Sequence, residues 1–212
     1  MIELLNIDCM EYLATLPDKA FDLAVVDPPY KEFFNTKGSK SNKANKGNYN
    51  INSLNNNCPN KIYFNELMRV SQNQIIWGGN YFVSYLTKNT SCWVVWDKNN
   101  TGNFADCEIA YTSFDRPIRL FKYTWNGMIQ ENMKDKELRI HPTQKPVALY
   151  KWLLKNYAKP GQRILDTHLG SGSSAIAAHY FGCDFVGCEI DVDYFNAARE
   201  RFDRETRQVA MF

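Results

Sequence analysis

Apolar residues along the chain fall into short runs that alternate with segments of helical periodicity. Short apolar runs bounded by turn residues are typical of strands, and apolar residues spaced three or four apart are typical of helices. The runs predict strands over Ile2–Ile7, Phe21–Val26, Gln74–Trp77, Ser91–Asp97, Glu108–Tyr111, Ile118–Tyr123, Arg163–Asp166 and Phe185–Glu189. The periodic segments predict helices over Met10–Leu16, Ile62–Val70, Val147–Ala158, Ser173–Phe181 and Tyr194–Arg204.

The alternation of strands and helices predicts the fold class. The run Phe21–Val26 is apolar almost throughout, as in a strand buried on both faces of a parallel sheet. We therefore expect an α/β protein with a doubly wound, mostly parallel sheet and helices on both faces, forming a single domain over residues 1–212. Glu108–Tyr111 and Ile118–Tyr123 are predicted to pair with each other, and Asn126–Arg139 is predicted to be a loop.

Residues 31–61 interrupt this pattern with a polar tract. The tract holds ten asparagines between Asn35 and Asn60 and has no acidic residue after Glu32. Such a composition buries too little apolar surface to offset the entropy of ordering. Two interpretations stay open: a mobile or disordered insertion, or a basic lid that contacts phosphates.

Composition and charge exclude some classes of protein. No apolar stretch is long enough to cross a membrane, and the first residues lack the features of a signal peptide, so we expect a soluble, cytoplasmic protein with no membrane partner. The net charge of +2 permits an anionic partner. The six cysteines form no Cys-x-x-Cys pair, so neither a metal site nor a disulfide is expected.

The sequence Asp27-Pro28-Pro29-Tyr30 directly follows the second predicted strand. The carboxylate accepts hydrogen bonds, and the two prolines lack N–H donors, so their carbonyls can only accept. The tyrosine ring offers a flat face for stacking. A site of acceptors beside a ring suits an exocyclic amino group on a planar base.

A second group of residues surrounds the predicted strand Arg163–Asp166. Asp166 ends the strand, and Gly170 and Gly172 allow close approach of the backbone to a ligand. Ser171 or Ser173 is predicted to cap the helix that follows. Glu189 ends the next strand, 23 residues after Asp166, where an acidic side chain is placed to hold the two hydroxyls of a ribose.

Several ligands are candidates for this glycine-rich turn. A dinucleotide site requires a third glycine where Ala175 stands, and the Gly-Lys-Ser/Thr of a phosphate loop is absent. S-adenosylmethionine has a ribose and no phosphate, so it fits one acidic strand end and a glycine turn. An ordinary helix start after a strand remains an alternative.

The chain resembles the amino-group (N6-adenine/N4-cytosine) DNA methyltransferases in the permuted order in which the catalytic half precedes the cofactor half. The matching stretches are Asp8-Cys9, Asp27–Tyr30, Ile75–Asn80, His141–Pro146, Asp166–Ser173 and Glu189–Asp191. They extend over nearly the whole chain in one consistent order, which makes the resemblance specific.

The resemblance implies S-adenosylmethionine as methyl donor and double-stranded DNA with a flipped target base as acceptor. It implies that Asp27 and the carbonyl of Pro28 hold the amino hydrogens and that Tyr30 stacks on the base, with Pro29 completing the catalytic motif. The cofactor contacts that it implies are Asp8, Cys9, Thr143, Lys145, Asp166, His168, Gly170, Ser171, Gly172, Glu189 and Ile190.

The first residue of the catalytic motif bears on the choice of base. The resemblance favours adenine N6, since this motif more often begins with serine in the cytosine-N4 members of the family. The alternatives are a cytosine-N4 DNA methyltransferase, an RNA or protein-glutamine N-methyltransferase, and a catalytically inactive nucleic-acid-binding relative. Thr167-His168 departs from the Pro-Phe usual in the family. The chain leaves residues 31–61 and about 112–139 for target recognition, and the resemblance allows a homodimer and a place in restriction-modification.

Some candidate residues have a plain structural interpretation as well. Asp8 fits an ordinary helix cap, and Trp77, Trp93 and Trp96 lie in strand patterns typical of the core. The spatial expectation on which the whole interpretation depends is that Asp27–Tyr30 and the glycine turn open into one common cleft.

Overall fold

The computed structural model describes residues 1–30, 58–86, 88–100, 105–126 and 128–207. The helices in these ranges are α1 (Cys9–Ala14), α2 (Lys61–Val70), α3 (Val147–Tyr157), α4 (Ser173–Phe181) and α5 (Val192–Thr206). The strands are β1 (Ile2–Asn6), β2 (Phe21–Val26), β3 (Ser71–Trp77), β4 (Trp93–Asp97), β5 (Cys107–Thr112), β6 (Arg119–Lys122), β7 (Trp125–Asn126), β8 (Ile129–Gln130), β9 (Arg163–Asp166) and β10 (Asp184–Glu189). Most of the tract 31–61 lies outside the described residues.

Eight of these strands form one sheet in the order β1-β10-β9-β2-β3-β5-β4-β6. Five of the seven neighbouring pairs are parallel, and only β5 runs antiparallel to its neighbours β3 and β4. The predicted α/β fold with a mostly parallel sheet is therefore confirmed.

Two apolar clusters cover the two faces of the sheet. On one face α1 and α2 bury Leu13, Phe64 and Leu67 against β2 and β3. On the other face α3 and α4 pack against each other and bury Leu153 and Ile176. Strand β2 lies between the clusters, which explains why its sequence is apolar almost throughout.

The predicted pairing of Glu108–Tyr111 with Ile118–Tyr123 is wrong. Strand β4 lies between β5 and β6, antiparallel to β5 and parallel to β6. Val94 and Trp96 are buried, as is typical of an inner strand. The connection after β5 passes β4, so that β6 pairs with the other edge of β4. The expected loop over Asn126–Arg139 includes the second strand of a short hairpin, β7–β8.

Helix bounds differ from the predictions by one or two residues where capping side chains set them. Asn60 accepts hydrogen bonds from the backbone N–H groups of Ile62 and Tyr63, so α2 begins at Lys61. Asp191 caps α5 in the same way. The bounds predicted for β9 and α4 are those observed. None of the described helices combines the length and the apolar character needed to cross a membrane.

Candidate active site

The candidate site lies at the carboxyl edge of the parallel strands. Strands β1, β10, β9, β2 and β3 are neighbours and run in the same direction, so their carboxyl ends meet along one edge. Ligands of doubly wound sheets bind in the crevice at this edge. The edge carries Asp8 after β1, Glu189 at the end of β10, Asp166 at the end of β9, Asp27 after β2 and Gly78 after β3.

The segment Asp27–Tyr30, which we call the acceptor corner, is held by the turn that follows β3. The Tyr30 ring stacks on Tyr81 with centroids 4.9 Å apart and meets the edge of Phe82 at 6.5 Å. Gly78 lies against the same ring, with a positive φ of 67°. The sequence Trp77-Gly78-Gly79 therefore allows the backbone to approach the tyrosine more closely than any side chain would permit.

We expect Gly78→Ala to destabilise the protein and to displace Tyr30. A Cβ at this position would lie 2.3 Å from a ring carbon of Tyr30. The left-handed backbone conformation alone costs about 1–2 kcal/mol for a residue with a side chain. Urea denaturation of both proteins measures the change in the free energy of unfolding.

Gly182→Ala is the matched control for this substitution. Gly182 has a similar φ of 78°, but a Cβ there would meet nothing within 4 Å. The difference between the two variants isolates the collision with Tyr30. Equal destabilisation by both variants would show that the tyrosine moves aside without loss.

Four charged side chains, which we call the charge cluster, meet beside the acceptor corner: Asp27, Lys98, Glu108 and Lys145. The ammonium group of Lys145 lies 2.5 Å from Asp27 Oδ2 and 3.2 Å from Glu108 Oε2. Lys98 donates to Glu108 Oε1. The other oxygen of Asp27, Oδ1, is buried and has no hydrogen-bond partner among the described residues.

The charges within the cluster shift the acidity of its members. Burial raises the pKa of Asp27, an effect that Lys145 opposes. Burial alone would raise the pKa of Glu108, but Lys145 and Lys98 lower it to about 2. Burial disfavours the charged form of Lys145, yet Asp27 and Glu108 raise its pKa well above the ordinary value. Lys145 is therefore a cation held between two acids.

The segment Asp166–Ser173, which we call the glycine turn, connects β9 to α4. Asp166 is fully buried, and its carboxylate accepts from the N–H of His168 at 3.0 Å and from the hydroxyl of Ser174 at 2.6 Å. Burial raises the pKa of Asp166 to about 7, although the hydrogen bond from Ser174 opposes this. These two hydrogen bonds hold the backbone of the glycine turn and the first turn of α4 around the buried carboxylate.

The predicted cap of α4 by Ser171 or Ser173 is wrong. Gly172 occupies the capping position with a φ of 75° and makes no side-chain hydrogen bond there. The two serine hydroxyls lie 3.1 Å apart and bond each other instead. A left-handed glycine turns the chain so sharply that a serine side chain is not needed to begin the helix.

Glu189 links the glycine turn to the start of α5. Its Oε2 accepts from the N–H of Gly170 at 2.8 Å, and its Oε1 accepts from the N–H of Asp191 at 3.0 Å. Each carboxylate oxygen has a further lone pair, so the side chain can still accept hydrogen bonds from a ligand. The carboxylate is held in a fixed orientation at the carboxyl end of β10.

A cavity of about 450 Å³ lies between the acceptor corner and the glycine turn. It is lined by Ile7, Asp8, Cys9, Met10, Pro29, Cys58, Pro59, Asn60, Ile62, Tyr63, Thr167, His168, Cys188, Glu189 and Ile190. Pro29 of the acceptor corner and Thr167 and His168 of the glycine turn line it, so these parts of the two segments share one cavity, whereas Asp27 and the two glycines do not line it. Burial lowers the pKa of His168 to about 4, so this ring faces the cavity as a neutral group at neutral pH.

The predicted cofactor residues divide into two groups by position. Five of them line the cavity, namely Asp8, Cys9, His168, Glu189 and Ile190. Asp8 also caps α1 by accepting from the N–H of Met10 at 2.8 Å, so both interpretations of this residue have a structural basis. The others, which do not line it, are Thr143, Lys145, Asp166, Gly170, Ser171 and Gly172.

Thr143 and Lys145 flank the turn that leads into α3. Thr143 bonds the ring of His141 through its N–H and its hydroxyl, and a Cβ at Gly170 would lie 3.7 Å from that ring. Lys145 points to Asp27 instead of the cavity. The segment thus touches both the glycine turn and the acceptor corner.

A buried arginine near the site was missed by sequence reasoning. Arg201 of α5 is fully buried; it donates to the carbonyl of Ser171 at 3.0 Å and pairs with Glu137 at 2.7 Å. The other oxygen of Glu137 accepts from the N–H of Val147, the first residue of α3. Arg201 therefore ties together three segments that are distant in the sequence. An arginine within a helix of mixed charge gives no sign of such burial.

The departure at Thr167-His168 has a local structural reason. The hydroxyl of Thr167 lies 2.9 Å from Nδ1 of His168 and 2.7 Å from the hydroxyl of Tyr63 in α2. The rings of Tyr63 and His168 meet at 5.5 Å. The tyrosine on α2 thus supplies a hydrogen-bond partner for the buried hydroxyl of Thr167.

Cys9, Cys92, Cys107, Cys183 and Cys188 are free thiols. Within the ranges that the structure describes, no group of three or more histidine, cysteine and acidic side chains could hold a metal ion. Trp77 and Trp96 are buried in the core, as expected, whereas Trp93 is partly exposed.

Comparison with known protein families gives one match over most of the chain. A family model described as DNA methylase matches residues 45–200. The matched range begins within the polar tract and includes the glycine turn and most of α5. It leaves out the acceptor corner, which precedes it.

Curated relatives extend the similarity to the first part of the chain. The Type II methyltransferase M.HinfI of Haemophilus influenzae is 24% identical over 242 residues, covering 92% of this chain and 66% of that protein. The putative methylase YubD of Escherichia coli K12 is 25% identical, covering 92% of this chain and 87% of that protein. The Type II methyltransferase M2.DpnII of Streptococcus pneumoniae is 33% identical over 84 residues, 40% of this chain and 31% of that protein. The chain spans less than two thirds of M.HinfI and of M2.DpnII.

Solved structures share the same fold. The crystal structure of the M1.HpyAVI–SAM complex matches with a TM-score of 0.60 at 20% identity, covering 95% of this chain and 100% of that one. A putative DNA modification methylase from Thermus thermophilus, complexed with S-adenosyl-L-methionine, matches with a TM-score of 0.60 at 18% identity, covering 98% of this chain and 97% of that one. The cytosine-N4-specific PvuII DNA methyltransferase matches with a TM-score of 0.64 at 11% identity, covering 97% of this chain and 90% of that one.

Proposed function

This chain belongs to the N6/N4 DNA methylase family, and we propose on that premise that it transfers a methyl group from S-adenosylmethionine to DNA. The acceptor in this proposal is the exocyclic N6 amine of adenine in double-stranded DNA, which attacks directly and in line. The target base is flipped out of the duplex to reach the acceptor corner.

The described residues fit S-adenosylmethionine as the cofactor. The cavity of about 450 Å³ has the size of a small-molecule site, and it joins the acceptor corner to the glycine turn. Glu189 presents an oriented carboxylate for the ribose hydroxyls, and Asp8 lies at the same wall for the adenine. When bound, the cofactor supplies an electrophilic methyl group on a positively charged sulfur. The neutral ring of His168, whose pKa burial lowers to about 4, adds no repelling charge to that cavity.

The acceptor corner prepares the amine of the base. An aromatic amine is a weak nucleophile because its lone pair is delocalised into the ring. Asp27 and the carbonyl of Pro28 accept the two amino hydrogens, and this draws the nitrogen toward tetrahedral geometry and localises the lone pair. Tyr30 stacks on the base and contributes about 1–3 kcal/mol to holding it outside the duplex. The positioning of nitrogen and methyl group supplies much of the acceleration.

One observation carries the proposal: Asp27 Oδ1 is a buried acceptor without a partner among the described residues. An unpartnered buried acceptor costs about 1–3 kcal/mol. Pro29 of the same corner lines the cavity, and in this proposal the donor reaches Oδ1 from that side. An amino group on a flipped base is such a donor.

Methyl transfer from labelled S-adenosylmethionine to unmethylated double-stranded DNA tests this function. We expect label in the DNA and, after digestion to nucleosides, in N6-methyldeoxyadenosine. Label in N4-methyldeoxycytidine would correct the base but keep the reaction. Label only in RNA or protein, or binding of DNA without turnover, would refute the DNA methyltransferase function.

Target recognition is assigned in this proposal to the region 112–139 together with the tract 31–61. Within the first of these, β6 exposes Arg119 and Lys122, and the segment after the β7–β8 hairpin exposes Lys134 and Lys136. Exposed cations of this kind are suited to contacts with phosphates. A homodimer on DNA is part of the same proposal. Measuring the mass of the protein in solution with and without duplex DNA decides whether one or two chains bind.

A further inference from the structure

The charge cluster contains one acid, Glu108, that the chemistry above does not use. Its two carboxylate oxygens are divided between two lysines: Oε1 accepts from Lys98, and Oε2 lies 3.2 Å from Lys145. The hydroxyl of Tyr30 approaches Oε2 at 3.5 Å. Glu108 therefore touches both the tyrosine of the acceptor corner and the lysine that holds Asp27.

Stability alone does not account for such a cluster. The side chain of Lys145 is only 4% exposed, and those of Asp27 and Glu108 are 15% and 21% exposed. Removing paired charges from water costs about as much as their attraction returns, and apolar residues of similar volume often stabilise a protein equally well. A cluster of this kind beside a reactive carboxylate points to a functional constraint.

We propose, building on the proposed methyltransferase function, that Glu108 is a positioning residue that acts through Lys145 on Asp27. Glu108 fixes the ammonium group of Lys145 on the Oδ2 side of Asp27. The carboxylate is then held in one orientation, and Oδ1 is kept available for an amino hydrogen of the target base.

Glu108 also affects the basicity of Asp27. The charged groups that face Asp27 are Lys145 before α3, Lys98 after β4, Glu108 on β5 and Asp166 at the end of β9. Burial and Glu108 raise the pKa of Asp27, whereas the two lysines lower it. Tyr30 and Tyr150 are neutral, because burial raises the pKa of both phenols. A more basic carboxylate accepts a hydrogen bond from an amine more strongly.

Glu108→Gln tests the proposal with little change in shape. We expect kcat to fall on the order of 10-fold to 100-fold, as for residues that orient metal ligands. The affinity for S-adenosylmethionine, measured by calorimetry, is expected to be unchanged because Glu108 does not line the cavity. Glu200→Gln, an exposed position on α5, is the matched control and keeps both values.

The pH profile gives a readout that a purely structural role would not change. Asp27 acts in its ionised form, so kcat falls as the pH falls through the pKa of Asp27. Removing the negative charge of Glu108 lowers that pKa, and the acidic limb of the profile moves to lower pH. The carboxyl carbon shift of Asp27, followed by NMR titration and assigned with Asp27→Asn, reports the same change without any turnover.

A double-mutant cycle tests whether Glu108 acts through Lys145. In a Lys145→Met background, Glu108→Gln should reduce kcat by clearly less than it does in the wild type, because the residue that it orients is gone and only its direct effect on the pKa of Asp27 remains. Equal losses in the two backgrounds would overturn the proposal. An unmoved NMR midpoint of Asp27, or a loss of cofactor affinity as large as the loss of kcat, would overturn it as well.

The proposed function and this role of Glu108 fail in different ways. Absence of methyl transfer to DNA by the wild-type protein refutes the function. A wild-type protein that methylates DNA, with Glu108→Gln equally active and its acidic limb unmoved, refutes the role of Glu108 alone.

Discussion

Asp27→Asn should reduce kcat by about 10²–10³, the size of loss that follows removal of one preorganised hydrogen-bonding group. The ammonium group of Lys145 faces Oδ2 at 2.5 Å, so the amide oxygen will turn toward it. The amide NH₂ group then takes the place of Oδ1 and faces the amino hydrogens with hydrogens of its own. Single-turnover methylation of duplex DNA measures this loss directly, without contributions from product release.

Cofactor affinity distinguishes this result from misfolding. Asp27 does not line the cavity, so Asp27→Asn should bind S-adenosylmethionine as tightly as the wild type. Asp184→Asn, at an exposed position where β10 begins on the opposite edge of the sheet, is the matched control and should keep full activity. If Asp27→Asn retained more than about a tenth of wild-type kcat, the acceptor corner would not be the catalytic site.

Glu189→Ala should show the opposite behaviour and weaken cofactor binding by about 10-fold to 100-fold. A hydrogen bond to a charged group contributes about 1.5–3 kcal/mol, and about 1.4 kcal/mol corresponds to a tenfold change in affinity. The substitution removes the acceptor proposed for the ribose and leaves the N–H groups of Gly170 and Asp191 without their partner. Isothermal titration with S-adenosylmethionine measures the dissociation constant.

Asp27→Asn and Glu189→Ala serve as controls for each other. At saturating cofactor, Glu189→Ala should recover most of its kcat, whereas Asp27→Asn should recover none. An equal loss of cofactor affinity in both variants would contradict the proposed division of roles between Asp27 in catalysis and Glu189 in cofactor binding.

The fold could be predicted because the inner strands of a parallel sheet are apolar almost throughout. Strand β9 and helix α4 were found with their observed bounds because a carboxylate and a glycine turn separate them. The same logic located Asp27 and Glu189, since carboxyl ends of parallel strands share one edge of the sheet. The family resemblance stated from the sequence is confirmed by the match over residues 45–200.

The charge cluster could not be predicted, and the reason lies in the order of the edge strands. Glu108 pairs with Trp96 across β4 and β5, which brings it close to Lys98. The sequence-based prediction paired β5 with β6 and therefore did not place Lys98, which follows β4, beside Glu108. Nothing in the local sequence marks Lys145 as the partner of a residue 118 positions away. The roles given to the individual site residues therefore stay predictions until the variants are measured.

Burial of Arg201 has a consequence for when the cleft becomes complete during synthesis. Its guanidinium group holds the carbonyl of Ser171 and the carboxylate of Glu137, so the glycine turn lacks this support until α5 has formed. Asp27 is translated early, but the wall facing it is fastened by a residue in the last described helix. Because a ribosome adds about 5–20 residues per second, several seconds pass during which the glycine turn has been synthesised but lacks its contact with Arg201. A growing polypeptide therefore reaches a competent cleft only after α5 has emerged and packed.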